Sequence, residues 1–124
     1  MLKLSIKFEL TNGNYGRQKN WYRPAKARKQ IEAILRAEGF VALNPFRDRV
    51  DLVITRHLGK GQRLWDSDSC GRGNAKELID AIVACGWLHD DGPKWVRHCD
   101  YRQCDKDRPN GPYVTVEFKE ITDT

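Results

Sequence analysis

The chain has 124 residues, a net charge of +5 and a pI near 9.1, with 40% hydrophobic and 31% charged residues. That length carries one compact domain over residues 1–124 rather than two, and the apolar share excludes a disordered chain. The basic balance favours a polyanionic partner such as nucleic acid.

Leu2, Leu4, Ile6, Phe8 and Leu10 alternate with polar residues, the signature of a half-buried strand. Thr11 to Asn14 is turn chemistry. Residues 17–30 are basic and aromatic, with Trp21 and Tyr22 read as core residues rather than base-stacking ones. Pro24 suits the first turn of a helix that continues through Ile31, Ile34 and Leu35 and stops at Gly39. Its exposed face would carry Lys26, Arg28, Lys29 and Arg36 as a phosphate-contacting or simply solvated surface.

Val50, Leu52 and Ile54 begin a second strand. Gly59-Lys60-Gly61 reads as a hairpin tip, with Leu64 and Trp65 opening the return strand. Asn74 can cap the next helix, with Glu77 in a capping-box position. Ile79, Ile82 and Val83 give that helix its apolar stripe, and Gly86 ends it. Trp95 and Val96 open a short extended stretch, Asp105 to Gly111 is a polar turn region, and Tyr113 to Ile121 alternates as a final strand. The expected architecture is α+β, a small mixed β-sheet covered on one side by two main helices, in β-α-β-β-α-β order.

No stretch approaches the ~20 apolar residues of a membrane span, and the first ten residues lack the apolar run of a secretory signal. The expectation is a cytoplasmic protein with reduced thiols. Cys70, Cys85, Cys99 and Cys104 contain no C-x2-C pair, which argues against structural zinc. The Cys99 and His98 neighbours fit a strand edge better than thiol chemistry.

Carboxylates are gathered in this basic chain at Asp66, Asp68, Asp90 and Asp91. Residues two apart on an extended backbone project to the same side, so Asp66 and Asp68 can share a hard cation such as magnesium. The intervening helix carries the chain roughly 16 Å away at ~1.5 Å per residue. The segment from Gly86 to Asp91 can return up to about 20 Å. Asp91 therefore meets the pair either by doubling back directly or across a dimer interface. Turn composition is the plainer account of each acidic pair taken alone.

The ordered set Leu64-Trp65-Asp66-Ser67-Asp68-Ser69, then Lys76-Glu77-Leu78-Ile79-Asp80-Ala81, then Gly86-Trp87-Leu88-His89-Asp90-Asp91 resembles the RusA-type Holliday junction resolvases, including phage and prophage relatives. That family shows D-x-D-N, a following lysine, a helix containing D-A-[LI], and a glycine followed by a D-D pair. The resemblance implies a metal-dependent endodeoxyribonuclease, usually a homodimer, that binds four-way DNA junctions and cuts them by hydrolysis. It implies Mg2+ or Mn2+ held by Asp66, Asp68 and Asp91. Lys76 would stand at the scissile phosphate and complete the catalytic set, and Arg23, Lys26 and Lys29 would grip the DNA backbone. Asp80 matches a family position on the helix and is read as pairing with Lys76 one turn away. The chain departs from the pattern at Ser69, where the family has asparagine, and in a longer stretch before Lys76. The competing reading is a non-catalytic nucleic-acid-binding module of phage origin, and a third is a nuclease acting on flaps or forks.

Overall fold

A computed structural model of the chain describes residues 2–9, 24–64 and 75–121. The expectations resting on Leu10, the 11–14 turn, Trp21, Tyr22, Arg23, Trp65, Asp66, Asp68, Ser69, Cys70 and Asn74 fall outside those residues.

The elements run β1 (Leu2–Ile6), α1 (Pro24–Ala37), β2 (Val50–His57), α2 (Ala75–Ala84), β3 (Val96–Cys104) and β4 (Tyr113–Glu120), with a short 3-10 turn at Arg108–Asn110. The four strands form one mixed sheet in the order β1-β4-β2-β3. β2 is antiparallel to β4 and parallel to β3, and β1 closes the other edge antiparallel to β4. The α+β class and the helix-covered mixed sheet therefore match the expectation from sequence.

One face of the sheet supplies the core. Leu4 and Ile6 of β1, Leu52 and Ile54 of β2, and Val114, Val116 and Phe118 of β4 are buried against Ile31 and Leu35 of α1 and Leu78 and Ile82 of α2. The period of two in the strands and the three-to-four spacing in the helices put these residues on matching faces. Lys26, Arg28, Lys29 and Arg36 lie on the exposed side of α1, as its spacing requires.

The element order differs from expectation after α2, where the stretch opened by Val96 is a full nine-residue strand, β3, and again before it. The rest of the expected return strand, from Trp65 on, lies outside the described residues, and the described residues between His57 and Leu64 contain no strand. The reason is topological: β2 already has β4 on one side and β3 on the other, leaving no free edge for a hairpin partner. Gly59 to Gln62 forms a closed turn instead. The Gln62 amide donates to Gly59 O, the Gly59 amide donates to Gln62 Oε1, and Arg108 Nη1 donates to both Gly59 O and Gln62 O.

β1 also ends sooner than its apolar alternation suggests. Its last ladder pair is Ile6 with Val114, and two residues further along the antiparallel register would stand Pro112, which has no N–H to give. The Gly111–Pro112 bond there is cis, and a side chain on Gly111 would collide with Leu58 O.

Both helices end in the same way. Gly39 and Gly86 take positive φ of 77° and 91°. Their amides donate to Arg36 O and Val83 O, while the next amides, of Phe40 and Trp87, donate to Leu35 O and Ile82 O. These are Schellman caps, with glycine at the left-handed position. The chain leaving α1 is then tied to the chain leaving α2 by Ala42 N–H to Cys85 O, Phe46 N–H to Trp87 O, and Trp87 Nε1–H to Phe40 O at 3.0 Å.

Candidate active site

Lys76 lies in the first turn of α2 and Asp91 in the loop that follows the helix. Between them the chain runs up α2, turns at the Gly86 cap and comes back. The return is fixed by backbone bonds: Val50 N–H reaches Trp95 O, Trp95 and Val96 N–H both reach Gly92 O, and Arg49 Nε donates to Pro93 O at 3.1 Å. The result is Lys76 Nζ 3.6 Å from Asp80 Oδ1 and 3.7 Å from Asp91 Oδ2. Asp80 stands one helical turn from Lys76, the spacing at which side chains on one helix face meet. Its pairing with Lys76 matches the sequence reading.

The two neighbouring aspartates do different jobs. Asp90 Oδ1 accepts the Gly92 N–H at 2.6 Å and so shapes the turn. Asp91 is directed at Lys76. The choice between them as the carboxylate facing the lysine falls to Asp91.

These ion pairs do little for stability. Side-chain exposures of 71% for Lys76 and 49% for Asp91 leave them in high dielectric, where such a pair contributes under about 1 kcal/mol. Backbone bonds hold the loop, so the three charged groups remain open to a ligand. Chemically, an ammonium sits beside two carboxylates, at a point where a cation is favoured. Hard oxygen donors of this kind suit magnesium or manganese. Asp66 and Asp68 lie outside the described residues, and among the described residues no three metal-ligating side chains converge on one point.

His89, next to the acidic pair, packs against Trp95 with ring centroids 4.2 Å apart and planes tilted by 35°, and Lys94 Nζ lies 5.1 Å from the Trp95 ring centre. Lys26 and Lys29 are exposed on α1 and, among the described residues, have no ion pair or side-chain hydrogen bond. Arg23 lies outside the described residues.

Burial pushes the Cys85 and Cys99 thiols up, away from thiolate. Cys99 pairs in register with Leu52 on the core side of β3, whereas His98 pairs with Asp51, so the two side chains point to opposite faces. β3 is an edge strand, which is where the sequence placed this pair.

Sequence reasoning passed over Asp51, which organises the β3 edge. It accepts Arg97 Nε and Nη2 at 3.2 and 2.7 Å and the His98 amide at 3.1 Å, bracing the bulge opposite Val50/Asp51. The Arg97 guanidinium holds its carboxyl below the ordinary value. Phe46 was missed too. Its stacking on Phe118 and its place beside Trp87 arise from tertiary contacts, and the only local signal was the Asn44-Pro45 loop before it.

No protein-family profile and no curated protein matches the chain. No helix among the described residues is long and apolar enough to cross a membrane.

Proposed function

We propose that the protein is a metal-dependent, structure-selective endodeoxyribonuclease that resolves four-way DNA junctions as a cytoplasmic homodimer. The observation that carries this reading is the approach of Asp91 to Lys76, two residues from different parts of the acidic pattern. The order D-x-D, lysine, helix, D-D gives that approach its chemical sense, because it is the resemblance to RusA-type resolvases that pairs these positions.

In this reading Asp66, Asp68 and Asp91 hold Mg2+ or Mn2+, which when bound supplies an activated water and shields phosphate charge. Asp91 orients from the return loop. Lys76 gives its positive charge to the phosphate oxygens as negative charge grows on them in the transition state. Asp80 keeps Lys76 directed at that point between turnovers. Arg23, Lys26 and Lys29 bind the DNA backbone, and the net charge of +5 draws DNA in.

The test is incubation of the full chain with a synthetic four-way junction and with linear duplex, with and without magnesium. Metal-dependent nicks confined to the junction support the reading. Retardation of the junction with no nicks under any divalent metal contradicts it and leaves a binding module, in which Lys26, Arg28 and Lys29 carry the interaction. Equal cutting of flaps or forks moves the substrate away from four-way junctions.

A further inference from the structure

An aromatic groove opens on the face where the chain leaves both helices. It consists of two adjoining depressions of about 410 and 360 Å³ that share Leu2, Phe46 and Glu120. Pro45, Phe46 and Trp87 form its apolar wall, and the rings of Phe46 and Trp87 stand 6.4 Å apart at a tilt of 31°. Phe118 backs both, 5.2 Å from Phe46 and 5.6 Å from Trp87. Arg47 and Lys119 stand on the rim with Asp48 and Glu120. Among the described residues, none of these four charged side chains has an ion pair or a side-chain hydrogen bond.

We infer that this groove receives an unstacked nucleobase of a bound DNA strand. The inference rests on the nuclease reading and deepens it. Flat apolar walls take the faces of a base irrespective of its identity. The Arg47 guanidinium and the Lys119 ammonium suit the flanking phosphates. Asp48 and Glu120 can accept from an exocyclic amino group.

Position supports the same occupant. Trp87 lies four residues before Asp91 in the chain, so their backbones stand at most about 14 Å apart. Along one DNA strand phosphates recur every ~3.4 Å of helix axis. The groove is thus within about four nucleotides of a phosphate held at Lys76, beside Asp91. At a branch point bases lose their stacking partners, so docking one there costs less than flipping it from duplex.

The test is photo-cross-linking of the full chain to a four-way junction carrying 5-iodouracil at single positions up to four nucleotides from the branch, without divalent metal. Peptide mapping is expected to place the adduct on Phe46 or Trp87. The double variant Arg47→Ala/Lys119→Ala, which spares the apolar wall, is expected to weaken junction binding about ten-fold while linear-duplex binding changes less. Junction binding with adducts only outside the groove, or with both affinities unchanged in the double variant, overturns the inference and leaves the nuclease reading standing. Failure to retain any DNA overturns both. A double variant that separates into monomers yet binds the junction normally makes the groove a contact between copies, and also overturns it.

Discussion

The Lys76 ammonium and the Asp91 carboxylate stand 3.7 Å apart, although an entire helix and its return loop separate them in the chain. Neither residue gains much stability from the other at this exposure. Replacing Lys76 by Gln or Asp91 by Asn is therefore expected to lower stability by less than about 1 kcal/mol. On the nuclease reading the same changes are costly in activity. Lys76→Gln should slow junction cutting on the order of 100-fold, and Asp91→Asn should abolish it with junction binding retained. Thermal melts together with single-turnover cleavage separate the two effects. Full cutting by Asp91→Asn excludes its proposed role.

The Gly86 cap makes the return to Asp91 possible. Its φ is 91°, and a side chain there would stand 2.5 Å from Ala42 O. Gly86→Ala combines left-handed backbone strain with a clash against backbone, and should destabilise by roughly 2 kcal/mol or more. Gly39 shares the conformation but faces open space, so Gly39→Ala is expected to cost less. Denaturant titration of the two variants checks the order.

The two glycines also show where the sequence was legible. Each helix stop was marked by a glycine, the only residue that takes a left-handed cap cheaply. The apolar spacing fixed which helix faces are buried. The alternation of Leu2, Leu4 and Ile6, of Val50, Leu52 and Ile54, and of Val114, Val116 and Phe118 identified three of the four strands. β3 was hard to read because it is an edge strand whose outward face is polar, and its bulge breaks the period of two. Of the return strand expected from Leu64, only Leu64 is described and it is in no strand; local turn chemistry says nothing about whether the neighbouring strand has a free edge. At the candidate site, the i, i+4 spacing showed the Lys76–Asp80 pair. The approach of Asp91 to Lys76 had no sequence signal, because it depends on the backbone bonds of residues 92–96. The closure of Asp91 onto Asp66 and Asp68, which chain length makes feasible, involves residues outside the described ones.

Acid should loosen the fold through His57. Its ring stacks on Tyr113 at 4.2 Å and its Nε2 lies 3.0 Å from Thr115 Oγ1, while Nδ1 is buried with no partner among the described residues. Burial first, and Lys3 second, hold its pKa below the ordinary 6.5, against smaller opposing effects of Asp107 and Glu117. The unfolded chain therefore takes up the proton before the folded one does. Stability is expected to fall as pH drops through 6.5 and to be insensitive to this group above about 7.5. In His57→Phe, which keeps a ring against Tyr113, that part of the pH dependence should vanish. Melting temperature measured against pH for the two proteins decides it; parallel curves would exclude His57 as the source.

The central claim is that Asp66, Asp68 and Asp91 hold one hard cation beside Lys76. Its most direct test is titration of the full chain with Mn2+, read by electron paramagnetic resonance, in the wild type and in the separate variants Asp68→Asn and Asp91→Asn. The account predicts a Mn2+ site in the wild type that weakens at least about ten-fold in each variant. A wild-type protein that binds no Mn2+, or a site that survives unchanged in Asp91→Asn, contradicts it.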